Sequence, residues 1–197
     1  MAHPAPAVLV LASTSPYRRE LLARLKIPFA IASPNVDEAP LADEEPAPLA
    51  LRLACSKAEA VRYAWPDALI IGSDQVAVVG NTILGKPGNF DNSASQLKQM
   101  RGERVQFHTA VCVLNTRTAL QQTALVTITV HMREYSDEQI ERYVLSETPY
   151  DCAGSARIEG LGIALVEKLD GDDPTALIGL PLIALCKMLR NEGIQLP

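Results

Sequence analysis

The sequence predicts an α/β protein: a mixed, partly antiparallel sheet flanked by helices, with two lobes around a cleft, as one domain over residues 1–197. Two observations carry that class. In the first half, short apolar runs alternate with segments of helical periodicity, the pattern of strands connected through helices. In the second half, the alternating runs VQFHTAVCVLN at 105–115 and QTALVTITVHMREY at 122–135 frame the polar connector TRTALQ, which reads as an antiparallel pair.

Taken in order, Val8 to Ala12 (VLVLA) is a strand apolar on both faces. Ser13-Thr14-Ser15-Pro16 then turns into a helix from Arg18 to Leu25, where Leu21, Leu22 and Leu25 share one face and Pro16 stands where a helix start accepts proline. Residues 29–33 (FAIAS) form a second strand, and the proline-rich stretch 34–48 a loop. A helix is expected from Leu49 to Ala64, because Ala50, Leu53, Ala54, Ala58 and Val61 form one stripe of period 3.6, and Lys57 falls on that stripe. Residues 68–79 (ALIIGSDQVAVV) read as an apolar strand interrupted at Gly72 to Gln75. TILGKPGN is expected to be loop and Asp91 to Met100 helix. After the antiparallel pair, Ser136 or Asp137 caps a helix to about Leu145, and a glycine-punctuated segment (DCAGSARIEGLG) follows. Ile163 to Lys168 reads as a strand and Pro181 to Asn191 as a final amphipathic helix.

With 48% hydrophobic and 21% charged residues, the 197-residue chain has the composition of a soluble globular protein. A net charge of −5 gives no general affinity for nucleic acid or an anionic membrane, so binding of phosphate requires a local cluster of cations. No run of 18 apolar residues occurs, and MAHPAPAVLVLA has no basic region ahead of its apolar run; a cytoplasmic location is expected. Cys55, Cys112, Cys152 and Cys186 lack the spacing of a zinc site and read as reduced core thiols. His108 and His131 alternate into strands without ligand spacing, and His3 belongs to a frayed terminus. Neither a P-loop nor a Rossmann glycine motif is present.

The chemistry-bearing residues are dispersed. Asp74 stands in mid-strand, where a carboxylate needs a cation, a metal or hydrogen-bond donors; a structural ion pair and a reactive group are both open. Lys57, on an apolar stripe, must snorkel or meet an anion. Lys86 lies in the GKPGN loop, and Arg18 and Arg19 open the helix after the Ser-Thr-Ser-Pro turn. Each of these cations suits a solvated surface, yet with Ser13, Ser15 and a helix N-terminus they would make a polyphosphate cradle. Asp37 and Glu38 fit either a solvated acidic loop, beside Asp43, Glu44 and Glu45, or a Mg²⁺ site shared with Asp74.

The run LASTSPYRRELL, the loop VDE ending in Glu38, LACSKAEAV around Lys57, IIGSDQV around Asp74, LGKP around Lys86, CAGSARIEGLG and the late GLPL resemble, in order and over residues 8–190, the Maf family of nucleoside triphosphate pyrophosphatases. That resemblance implies an α/β fold with a cleft between lobes, distantly shared with the inosine triphosphate pyrophosphatases, and metal-dependent hydrolysis of a nucleoside triphosphate to monophosphate and diphosphate. It implies a proton acceptor at Asp74, phosphate contacts at Ser13, Arg18, Lys57 and Lys86, and a divalent cation, Mg²⁺ or Mn²⁺, with Glu38 and Asp74 as candidate ligands. A homodimer also fits the resemblance. Tyr17, Gln75 and Glu159 stand where the family branches differ. The branch acting on dTTP and UTP carries Arg, Thr and Gln there; the branch resembling 7-methyl-GTP pyrophosphatase carries an aromatic residue, usually Trp, with Gln and Glu. The sequence sides with the second, with Tyr in place of Trp. A dTTP/UTP pyrophosphatase and a non-catalytic nucleotide-binding regulator of division are the alternative readings.

Overall fold

A computed structural model describes residues 8–197; His3 lies outside them. Its seven strands are β1 (Val8–Ala12), β2 (Ala30–Ala32), β3 (Ala68–Val79), β4 (Thr82–Leu84), β5 (Arg104–Asn115), β6 (Leu120–Met132) and β7 (Val166–Asp170). The helices are α1 (Pro16–Ala23), α2 (Pro46–Ala60), α3 (Phe90–Met100), α4 (Asp137–Glu147), α5 (Pro174–Ile178) and α6 (Leu182–Asn191). They build one mixed sheet of order β2-β1-β3-β5-β6-β7, with β4 pairing on β3. Strands β1, β2 and β3 are parallel and every other pairing is antiparallel, as the expected class requires.

Three apolar clusters cover this sheet. Leu49, Leu53, Ala54 and Ala58 of α2 pack on Val10, Ile70 and Cys112 from one face. Leu21 and Leu22 of α1, with Leu185 and Leu189 of α6, cover Leu11, Ile71 and Val113 on the opposite face. A third cluster joins α3 and α4 to the far ends of β3, β5 and β6 through Leu97, Ile140, Phe107 and Ile128. Strand β3 contributes Ile70, Ile71 and Ala77 to the three clusters in turn, so its polar middle lies where the lobes meet.

Several elements differ from the sequence reading. β3 is continuous through Gly72–Gln75, because β5 pairs with it residue for residue from Leu69 to Val79 and satisfies its backbone. The TIL of the expected loop forms β4 on the same strand. α2 begins at Pro46, since prolines in a first turn forfeit no intrahelical bond, and a 3-10 turn at Arg62–Ala64 follows its end at Ala60. The expected strand from Ile163 begins only at Val166. Gly160 and Gly162 donate backbone hydrogen bonds to the Arg157 carbonyl at 3.1 and 3.0 Å, and the chain stays in 3-10 turns through Leu165. Helix α5 is an element the periodicity did not reveal, being five residues long. Ser136 caps α4 in a reciprocal capping box with Gln139. All four cysteines are free, but only Cys112 is fully buried; the others are half-buried. His131 pairs with Asp170 at 2.7 Å and His108 with Thr127 at 2.9 Å, neither in a ligand cluster.

Gly72 sets how closely α2 approaches the sheet. A Cβ there would lie 2.1 Å from the Ala54 carbonyl oxygen and 2.8 Å from the Ala58 amide nitrogen, both rigid backbone. Gly72→Ala is therefore expected to force α2 away from β3 and to lower unfolding stability by about 2–3 kcal/mol, the scale of core overpacking. Urea titration reads this as a fall in midpoint; an unshifted midpoint would contradict the close approach.

Candidate active site

The junction of the lobes opens into a cleft of about 610 Å³, within the range of small-molecule sites. The nine side chains that the family resemblance singles out all line it, although they come from five separate stretches of the first ninety residues and one far beyond them.

At the end of β1 the chain turns into α1. The Ser15 amide donates to Ser13 Oγ at 3.1 Å, and Ser15 Oγ caps the helix by accepting from the Arg18 amide at 3.4 Å. Ser13 is buried; in the first turn of α1 Pro16 has no N–H and the Arg18 amide is capped, so the Tyr17 amide alone is left for another partner. Arg18 reaches across to α5, where its Nε donates to the Gly179 carbonyl at 2.8 Å. Burial draws the Arg18 guanidinium below its ordinary pKa, and the negative charges of Asp74 and Glu38 oppose that pull. Lys86 enters from the loop after β4 and is exposed.

At the centre, Lys57 joins two carboxylates. Its Nζ lies 2.5 Å from Asp74 Oδ1 and 2.7 Å from Glu38 Oε1, with the lysine 7% and the aspartate 10% exposed. A buried ammonium and a buried carboxylate are each costly alone; here each is the other's partner. The ion pair anticipated for Asp74 thus exists, and it faces the cleft. Burial by itself would raise the Glu38 carboxyl, but the hydrogen bond and charge of Lys57, with Lys86 and Arg18, outweigh it and hold the group below its ordinary range.

Glu38 rides on the loop ahead of α2. Arg52 pins that loop with a fork to Glu44 at 2.6 and 2.7 Å and a bond to the Ala39 carbonyl at 3.0 Å. Glu44 is therefore a tether and not one more solvated acid, a role that its place in an acidic run concealed. Asp37, grouped with Glu38 from the sequence, does not line the cleft; its carboxylate accepts from the Ala39 amide at 2.9 Å and shapes the turn.

Since Lys57 takes Oδ1 and Oε1, Asp74 Oδ2 and Glu38 Oε2 are left for other partners. Two hard oxygens with room for phosphate and water fit a Mg²⁺-like ion, which needs few protein ligands. Among the described residues no group of three or more potential ligands gathers.

The same cleft is lined by Tyr17, Gln75 and Glu159, the residues expected to distinguish the family branches. Tyr17 sits in the first turn of α1, and its hydroxyl donates to Asp151 Oδ1 at 3.3 Å. Burial, with Cys152 and Asp151 beside it, raises the phenol pKa and keeps it a neutral donor. Glu159 lines the cleft from the glycine-punctuated segment. Gln75 enters from β3. Its Nε2 lies 2.9 Å from Thr109 Oγ1, 2.9 Å from the Ala176 carbonyl and 3.0 Å from the Leu177 carbonyl. Both amide hydrogens are committed to fixing α5, so only Oε1 remains to read a ligand. Asp151 and the Gly179 carbonyl, which also accepts from Ser73 Oγ at 2.9 Å, were missed; a loop carboxylate and a backbone oxygen leave no sequence signal.

Ser13, Arg18 and Lys86, a lysine-bridged carboxylate pair, and Tyr17 with Glu159 thus line one cleft of an α/β protein. The chain belongs to the Maf family: the family model described as Maf-like protein matches residues 8–192. It is 53% identical over 195 residues to a 7-methyl-GTP pyrophosphatase of Albidiferax ferrireducens, covering 99% of this chain and 98% of that one. Proteins of the same name from Thiobacillus denitrificans and Aromatoleum aromaticum are 56% and 57% identical, over 95% and 96% of this chain and 93% and 97% of their own.

Proposed function

We propose that this protein is a hydrolase that cleaves 7-methyl-GTP to 7-methyl-GMP and diphosphate, removing a modified nucleotide before it enters nucleic acid. The observation that carries the reading is that the bridged group Lys57, Asp74 and Glu38 shares one cleft with Tyr17 and Glu159, in a chain more than half identical to relatives of that name. Cleaving a phosphoanhydride calls mainly for positioning and charge neutralisation. Ser13, Arg18, Lys57 and Lys86 supply both to the triphosphate. Asp74 Oδ2 accepts the proton of the attacking water as it adds to phosphorus, and diphosphate leaves with the electrons of the broken P–O bond. Glu38 and Asp74 would hold a divalent cation, Mg²⁺ or Mn²⁺, which supplies further neutralisation of the phosphate charge.

Methylation at N7 makes guanine a cation, and a flat cation is attracted to the face of Tyr17. Its N1–H and exocyclic amine are donors for the Glu159 carboxylate, whereas thymine and uracil offer an acceptor in place of that amine. Diphosphate release from 7-methyl-GTP, GTP, UTP and dTTP with Mg²⁺ or Mn²⁺ tests the reading, with 7-methyl-GTP expected to give the highest kcat/KM. Faster turnover of UTP or dTTP would assign the protein to the other branch. Glu159→Gln should reduce the preference for 7-methyl-GTP over UTP by about tenfold, the scale of one hydrogen bond to a charged group; an unchanged ratio removes Glu159 from base reading.

A further inference from the structure

Beside Tyr17 and Glu159 lies a cation, Arg157, that phosphate binding leaves unused. Arg157 follows the 3-10 turn Ala153–Ser155, in the segment closed on itself by Gly160 and Gly162. Gly162 leaves no room for a side chain, because a Cβ would lie 2.5 Å from the Arg157 carbonyl oxygen. The Arg157 guanidinium carbon is 5.5 Å from the centroid of the Tyr17 ring. Its Nη1 donates to Glu147 Oε2 at 3.2 Å, and its buried Nε, which makes no hydrogen bond, lies 3.5 Å from Glu159 Oε1 as a charge pair. Glu147 Oε1 in turn accepts from the Leu161 amide at 2.7 Å, so the outer anchor of Arg157 is itself bound to the same segment.

One side chain therefore touches both residues on which the choice of base depends. Tyr17, Ala156 and Glu159 line the cleft and Arg157 does not, so the guanidinium meets the ring and the carboxylate from outside the space a base would fill. Without it, the Tyr17 side chain is held at its hydroxyl by Asp151 and Cys152, and Glu159 stands on a loop. A base that stacks on one group while donating in its own plane to the other needs ring plane and carboxylate in a fixed relation. The planar guanidinium suits that task, offering a face to the ring and an edge to the acid, which an ammonium cannot do together.

We propose that Arg157 is a positioning residue for base recognition: it locks the plane of Tyr17 to the carboxylate of Glu159 and thereby sets selectivity for a flat, donor-edged purine. The proposal rests on the Tyr17 and Glu159 reading given above. Steady-state kinetics of Arg157→Met and Arg157→Lys on 7-methyl-GTP and UTP test it. In Arg157→Met the ratio of kcat/KM between the two substrates is expected to fall about tenfold, with the loss for 7-methyl-GTP falling on KM and not on kcat. Arg157→Lys keeps a cation for Glu147, and with it the fold of the segment, yet should recover only a minor part of the ratio. A purely structural arginine would instead lower both substrates together and be rescued by lysine; that result, or an unmoved ratio, overturns the proposal. Should the wild-type protein prefer UTP, the 7-methyl-GTP reading falls, while the role of Arg157 is still decided by whether its replacement moves the ratio.

Discussion

Asp74→Asn is expected to lower kcat for diphosphate release by about 10²–10⁴-fold, the usual weight of a positioned general base. The amide keeps the size of the carboxylate, and its oxygen still accepts from Lys57, which retains Glu38 as a charged partner at 2.7 Å. The core around β3 is thus left nearly as it was, and thermal unfolding should show a melting temperature within a few degrees of the parent. What the variant lacks is an oxygen able to take a proton from water. Activity within a factor of three of the parent, in protein shown to be folded, would exclude Asp74 from proton transfer.

Lys57→Met should be damaging in a different way. The methionine fills the stripe of α2, but Asp74, 10% exposed, loses its counter-charge, and Glu38 loses the cation that tethers it. Breaking one partner out of a buried pair costs about 3 kcal/mol, read as a fall in urea midpoint. The sign of the pH dependence follows from Glu38. Its folded pKa lies below the ordinary range, so it contributes stability above the unfolded pKa and loses it as pH falls through the folded value. With Lys57 gone that depression shrinks. Stability of the variant should therefore vary less with pH on the acid side than stability of the parent, and turnover at neutral pH should be lost with it. A variant as stable and as acid-sensitive as the parent would show that the bridge contributes nothing.

Much of the architecture was legible because it rests on periodicity. Ala50, Leu53, Ala54, Ala58 and Val61 repeat every 3.6 residues and are all buried against the sheet. The alternation in β5 and β6 likewise announced an antiparallel pair, which runs from Arg104 opposite His131 to Asn115 opposite Leu120. Where the reading failed, a non-local partner decided. Gly72–Gln75 looked like an interruption because glycine, serine and aspartate are poor strand formers, yet pairing with Cys112, Val111, Ala110 and Thr109 of β5 holds them extended. The onset of β7 was misplaced because two backbone bonds to Arg157 keep the preceding residues folded back. α5 was invisible because it is too short to show a period.

Sequence alone determined the inventory of this protein: a carboxylate out of place in a strand, a lysine out of place on an apolar stripe and, through the family resemblance, a tyrosine and a glutamate where the branches are expected to differ. The first two are local signals, since a residue that violates the pattern of its own element is visible without knowing its neighbours. Tertiary structure decided the company each one keeps. It brought Lys57 to both Asp74 and Glu38, committed the amide of Gln75 to α5, gave Glu44 to Arg52, and set Arg157 against Tyr17 and Glu159. Those partnerships arise from sheet register and from the close approach of α2 at Gly72, contacts between stretches far apart in the chain, and linear spacing carries no record of them.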